Sequence, residues 1–171
     1  MIKFFVGVVV GIGLVVLAGY LFVARGGIFM GTDTKGLPLE ERIAGAAITA
    51  SIGKSADDQS SLPVDESNLQ AGAKIYMQIC ASCHGKLDQA ESGAKGFYPP
   101  PPPLLPPGEG VTDDPVGAIH WMVKNGIRFS AMPAFGKKLS DSEIWQVSLL
   151  LNNADKLPDS VKESLRQPPQ E

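Results

Sequence analysis

The sequence predicts an all-α domain set behind a membrane-spanning helix. Three observations point there. An uncharged run of 21 residues, Phe4 to Ala24, opens the chain. Apolar residues recur at three- and four-residue steps in three stretches after residue 65, and no stretch sustains the two-residue alternation of a half-buried strand.

The opening run lies between Lys3 and Arg25. As a helix it would extend about 32 Å at ~1.5 Å per residue, enough for a hydrocarbon core of about 30 Å. Val16-Leu17-Ala18 offers a small-residue site to a signal peptidase, but the apolar run continues six residues beyond it. A cleavable signal has an apolar region of only about 7–15 residues, so a retained anchor over residues 1–25 is expected, with the bilayer meeting residues 4–24. Gly7, Gly11, Gly13 and Gly19 provide small residues for contact with a partner helix. The flanking cations, Lys3 on one side and Arg25 and Lys35 on the other, do not decide the orientation.

Residues 26–65 read as a tether. Gly26, Gly27, Gly31 and Gly36 punctuate its start, and Ser55, Asp57, Asp58, Ser60, Ser61 and Pro63 its end. Between them Pro38-Leu39-Glu40-Glu41-Arg42-Ile43 opens a short, alanine-rich helix, with proline and acids placed where a first turn favours them. Forty flexible residues would span roughly 35 Å root-mean-square.

The folded domain is expected over 66–157. Leu69, Gly72, Ala73, Tyr76 and Met77 follow helical spacing straight into Cys80. A second helix follows Asp113-Asp114-Pro115, carries Val116, Ile119, His120 and Val123 on one face, and ends at Asn125-Gly126. A third begins at Ser140 with Glu143 as a capping box; Ile144, Val147, Ser148 and Leu151 share its inner face, and Asn152-Asn153 and Pro158 stop it. Between the first two helices runs a long loop with five consecutive prolines, Pro99 to Pro103, which favour polyproline II and carry no backbone donors. Residues 158–171 read as a tail.

The chain's two cysteines fall in one run, Cys80-Ala81-Ser82-Cys83-His84. C-x-x-C-H is the attachment signature of c-type haem: each thiol adds to a vinyl group and the histidine is held beneath the iron. A disulfide also suits two cysteines. A thioredoxin-like pair needs a βαβ setting, and no alternating strand precedes Cys80. A tetrahedral zinc site needs four ligands, while the chain offers Cys80, Cys83, His84 and His120, with Cys83 and His84 as adjacent residues. Formal net charge is -3, which makes no case for nucleic acid.

Cys80 to Gly85, the Pro102-Pro103-Leu104 turn, Asn125-Gly126-Ile127, Met132-Pro133-Ala134-Phe135-Gly136 and Leu139 to Trp145 occur in an order that resembles class I, mono-haem cytochromes c of the membrane-anchored bacterial type. The resemblance covers about residues 66–157. It implies a class I cytochrome c fold around one covalent haem, with Cys80 and Cys83 in thioether links and His84 and Met132 as axial iron ligands. A thioether donor favours ferrous iron and raises the potential. His120, twelve residues before Met132, competes for the sixth position and would lower the potential. Met122 and Met77 read as core filling.

The resemblance also implies that the carbonyl of Pro102 or Pro103 accepts from His84, that Leu104 packs on the haem face, and that Gly72 and Tyr76 meet the last helix around Ile144, Trp145 and Ser148. Tyr98, Trp121, Lys124 and Arg128 are candidate donors to the haem propionates. Lys124, Arg128, Lys137 and Lys138 flank Met132 with no acidic residue between positions 115 and 140, a pattern that would steer an acidic partner.

The expected function is one-electron transfer without catalysis. A tethered carrier would serve redox donors and acceptors at the outer face of the bacterial cytoplasmic membrane, with its haem domain in the periplasm, where c-type haem is attached. The alternative is a fixed haem c subunit of a multisubunit membrane oxidoreductase or oxidase. A haem sensor or peroxidase would need a labile sixth ligand.

Overall fold

A computed structural model describes residues 1–33, 36–89, 91, 93–108 and 110–166. Lys35, counted above among the flanking cations, and the tail beyond Arg166 lie outside them. The chain divides into two units, Met1–Thr34 and Lys35–Glu171.

The first unit is one helix, α1 (Ile2–Ala24), with no buried residue and no charge after Lys3. It is long and apolar enough to cross a membrane. Its end is closed by paired hydrogen bonds: Gly27 donates to the Phe22 carbonyl and Gly26 to that of Val23. This is the Schellman arrangement that satisfies terminal carbonyls. Among the described residues nothing comes within 4 Å of a Cβ built on Gly7, Gly11, Gly13 or Gly19, the helix's own backbone aside.

The second unit is helical, with no strand among the described residues. Helix α2 (Glu40–Ile52) is mostly exposed, with Ile48 and Ile52 half-buried. Its continuation, a 3-10 turn over Gly53–Asp57, runs along α5 (Val116–Asn125). The contact needs a glycine: a Cβ on Gly117 would lie 2.3 Å from the Ser55 carbonyl oxygen. The end of the expected tether is therefore seated on the domain, and Leu62 packs against the core. Residues 53–62 add nothing to the reach calculated for forty free residues. The sequence hid this because the seat is backbone on glycine, with no apolar pattern to mark it.

Helix α3 (Glu66–Ile75) starts at Asp65, whose carboxylate accepts from the Asn68 N–H at 2.9 Å. It widens into a π-turn over Tyr76–Cys80 and tightens again as α4 (Ala81–His84). Helix α6 (Asp141–Asn152) carries the expected capping box between Ser140 and Glu143. The most extensive contact in the unit is α3 against α6. Gly72 makes it close, since a Cβ there would stand 2.3 Å from the Gln146 carbonyl oxygen.

The segment beyond 157 is not a loose tail where it is described. It forms α7 (Asp159–Arg166), packed on α3, with Val161 and Leu165 fully buried. Pro158, expected to end the preceding helix, also starts this one: its carbonyl accepts from the N–H groups of Val161 and Lys162. The two buried residues lie four apart on an otherwise polar helix, a stripe too short to stand out in sequence. Polar links bind the rim, Arg166 to Asp88 at 2.8 Å and Ser160 to Glu66.

Candidate functional site

The π-turn and α4 place Cys80, Cys83 and His84 at the C-terminal end of one helical course. A single π-turn within an α-helix is a frequent device at functional sites. Its first residue, Tyr76, is fully buried, and its hydroxyl donates to the Gly85 carbonyl at 2.7 Å. Burial holds the phenol proton firmly, so Tyr76 stays a donor. Gly85 has φ 79 and ψ 175, backbone that only glycine adopts without strain, and it turns the chain sharply after His84.

Neither cysteine is in a disulfide, and both are half-buried. The Cys80 thiol is pushed up to about 12, mainly by burial and further by neighbouring Cys83. A redox-active C-x-x-C needs the opposite shift, toward thiolate, which weighs against the thioredoxin-like alternative. His84 is half-buried, and Nδ1 lies 2.8 Å from the Pro102 carbonyl oxygen. Burial lowers its basicity and the Pro102 carbonyl partly offsets this. The imidazole is thus neutral, donates from Nδ1 and keeps the Nε2 lone pair free. A metal-binding histidine needs that tautomer. Pro102 is exposed; Leu104 is half-buried against the core.

Met132 belongs to a separate segment and packs against the core. It is half-buried on a loop springing from the end of α5. Ile127 donates to the Met132 carbonyl at 3.1 Å, and Met132 donates to Ser130 Oγ at 3.1 Å. Gly126 closes α5 with φ 68 and ψ -176, and a Cβ there would lie 2.7 Å from Ala134 N. Any side chain at 126 would push the Met132–Ala134 segment away.

His120 is buried and already engaged. Its ring stacks on Trp145 at 4.0 Å between centroids, and Nε2 lies 3.2 Å from Asp141 Oδ1. Lys124 donates to the same oxygen at 2.8 Å. Lys124 is thereby committed to Asp141, whereas Arg128, Lys137 and Lys138 are exposed and make no ion pair among the described residues. Trp121 is half-buried, its carbonyl bonded to Asn125. The Tyr98 hydroxyl sits against Gly36, beside Glu40. Asp141 and α7 were missed in sequence. Asp141 directly follows the capping Ser140, where an acid is expected for helix reasons alone.

These donors suit one kind of metal group. No cluster of three or more His, Cys, Asp or Glu side chains able to hold an ion occurs among the described residues. One histidine held through Nδ1, on the same helical course as two cysteines that form no disulfide, fits a cofactor that brings its own equatorial ligands and is held by covalent links. Residues 67–149, just under half the chain, match the family model of cytochrome C oxidase, cbb3-type, subunit III. The chain carries a class I c-type cytochrome domain. Its cofactor is covalent haem c, with Cys80 and Cys83 in the attachment motif, and its chemistry is haem-based electron transfer. No curated protein matches the chain, nor does any solved structure. Helix α1 ahead of the cytochrome domain is compatible with a single-pass membrane anchor.

Proposed function

We propose that this protein is a membrane-anchored one-electron relay, with α1 in the bacterial cytoplasmic membrane and the cytochrome domain on the periplasmic side. The hydrogen bond from His84 to Pro102 carries the reading, because it fixes the one ring orientation in which Nε2 is available beside both thiols. When bound, the haem supplies an iron centre that changes oxidation state by one electron. Cys80 and Cys83 would hold it by thioether links, and His84 and Met132 would ligate its iron. Pro102 orients His84, and Leu104 supplies apolar cover. Trp121 and Arg128 are the remaining pocket candidates. With histidine and methionine both bound, the iron would be closed to oxygen or substrate, and the Met132 thioether would favour its reduced state. His120 is held by Trp145 and Asp141, which favours Met132 as the sixth ligand.

Two roles fit a relay. A mobile carrier would move electrons between respiratory-type complexes, and residues 26–52 would supply its reach. A fixed haem c subunit of a membrane oxidase is favoured by one observation, the match of residues 67–149 to a cbb3-type subunit. Mild detergent extraction followed by affinity purification of the full chain separates the two. Recovery alone, or below stoichiometry with more than one complex, supports the carrier. Recovery at a fixed ratio with one oxidase supports the subunit. Carbon monoxide binding by the reduced protein at neutral pH would overturn both and favour a sensor or peroxidase.

A further inference from the structure

Phe129 is 93% exposed, and its φ is +62. A lone apolar side chain on the surface means little. Phe129 also holds a left-handed backbone conformation that an aromatic residue adopts only at a cost, at a turn position where glycine or asparagine would sit freely. The turn is tightly made, with the Ser130 N–H donating to the Ile127 carbonyl at 3.2 Å and Ser130 Oγ to the same oxygen at 2.8 Å. Nothing within the described structure covers the ring, so the fold gains nothing from having phenylalanine there.

The position of the turn gives it a purpose. It lies inside the loop that the Ile127–Met132 hydrogen bond closes, three residues from Met132. The next segment is tied to the same end of α5: Gly136 donates to the Lys124 carbonyl and Phe135 to that of Val123. Arg128, Lys137 and Lys138 are thus carried on two segments rooted at one helix end, exposed and without ion pairs among the described residues. We propose that Phe129 is the apolar anchor of a docking surface for a redox protein whose face presents an apolar recess rimmed by carboxylates. The cations attract and orient that partner, and Phe129 fills the recess at the centre of the contact. A single ring suits a protein pocket better than a bilayer, since lipid binding scales with a broad apolar face. The proposal rests on the electron-relay reading and names its partner's chemistry.

The test uses haem-loaded full chain in membranes of producing cells that lack the native copy. Two rates are followed in parallel: electron transfer with the membrane complexes, and electron transfer to ferricyanide, a small oxidant that needs no docking. F129A is expected to slow the first about tenfold, the effect of removing one interface anchor, and to leave the second unchanged. F129G, which relieves the backbone, should slow it equally, and F129W should restore it. The salt dependence should persist in F129A, because the charges remain. Rates within twofold of wild type for F129A and F129G would overturn the proposal. So would an equal fall with ferricyanide, which would place Phe129's role inside the domain. A nitroxide on F129C should stay water-exposed in nanodiscs of phosphatidylcholine with or without phosphatidylglycerol. Shielding in the anionic discs alone would overturn the protein partner in favour of lipid. A wild-type protein that exchanges electrons with neither membranes nor ferricyanide would defeat the relay reading itself.

Discussion

Where α3, α6 and α7 meet, Ile144, Val147, Leu150, Val161 and Leu165 are sealed from solvent, and apolar contact does most of the holding. His84 and Met132 are themselves half-buried, and individual bonds hold the chain near each: Tyr76 to Gly85, His84 to Pro102, Ile127 to Met132. The first region resists change through volume. The second resists it through geometry, with Gly85 and Gly126 at backbone angles no other residue shares comfortably. Mutations should therefore separate stability from redox properties according to the region they strike.

The largest effect is expected at Met132. Under the proposed ligation, M132A should lower the midpoint potential by a sizeable part of the roughly 0.8 V over which axial ligands set haem potentials. It should also let the reduced protein bind carbon monoxide, while thermal stability falls comparatively little. H120A should leave the potential close to wild type. An electrode titration of the two variants reads both outcomes, and a large shift in H120A with none in M132A would exchange the ligands.

The packed region should answer in stability. L165A removes most of a fully buried side chain, and a cost of about 2–5 kcal/mol follows from lost burial and the cavity left behind. The urea midpoint should fall with an unchanged slope, and the potential should not move. G72A tests the crossing itself. Its methyl would meet backbone, the Gln146 carbonyl oxygen at 2.3 Å, so no side chain can turn aside and α3 must back away from α6. About 1–3 kcal/mol is expected, again in the denaturation midpoint.

Sequence showed the parts with regular spacing or fixed chemistry. The capping box of α6, the stop of α5 at Gly126 and the run into Cys80 were all visible as patterns. The His84–Pro102 bond was legible through resemblance to cytochromes c, which also singled out Gly72 for a close helix approach. Three things were not legible. The π-turn at Tyr76 leaves the apolar order unchanged, so spacing cannot reveal it. The seat of Ser55 on Gly117 is a backbone contact. Helix α7 buries only Val161 and Leu165, and a two-residue stripe is lost among charges. His120 was read as a competing ligand, and its stack on Trp145 depends on a partner 25 positions away in the chain.

That stack sits between the two regions, and the smallest effect is expected there. Burial lowers the pKa of His120 from its ordinary 6.5; Asp141 opposes the shift and Lys124 adds to it. A depressed histidine pKa means the unfolded chain binds the proton more readily than the folded one. The contribution of His120 is therefore complete above about pH 6.5 and is lost as the pH falls below that value toward the folded pKa. Asp141 is also held below its usual value, chiefly by its bond to Lys124, so its own contribution fades only in a far more acidic range. Between pH 7.5 and 5.5 the two do not overlap. H120Q keeps an amide donor for Asp141 but loses the ring stack, at about 1 kcal/mol near pH 7.5. It should also show a shallower loss of stability than wild type on acidification over that range. Urea midpoints for both proteins at the two pH values check it. Parallel acid losses would mean that folding leaves the His120 pKa at its ordinary value, and a steeper loss in H120Q would mean that Asp141, rather than burial, governs it.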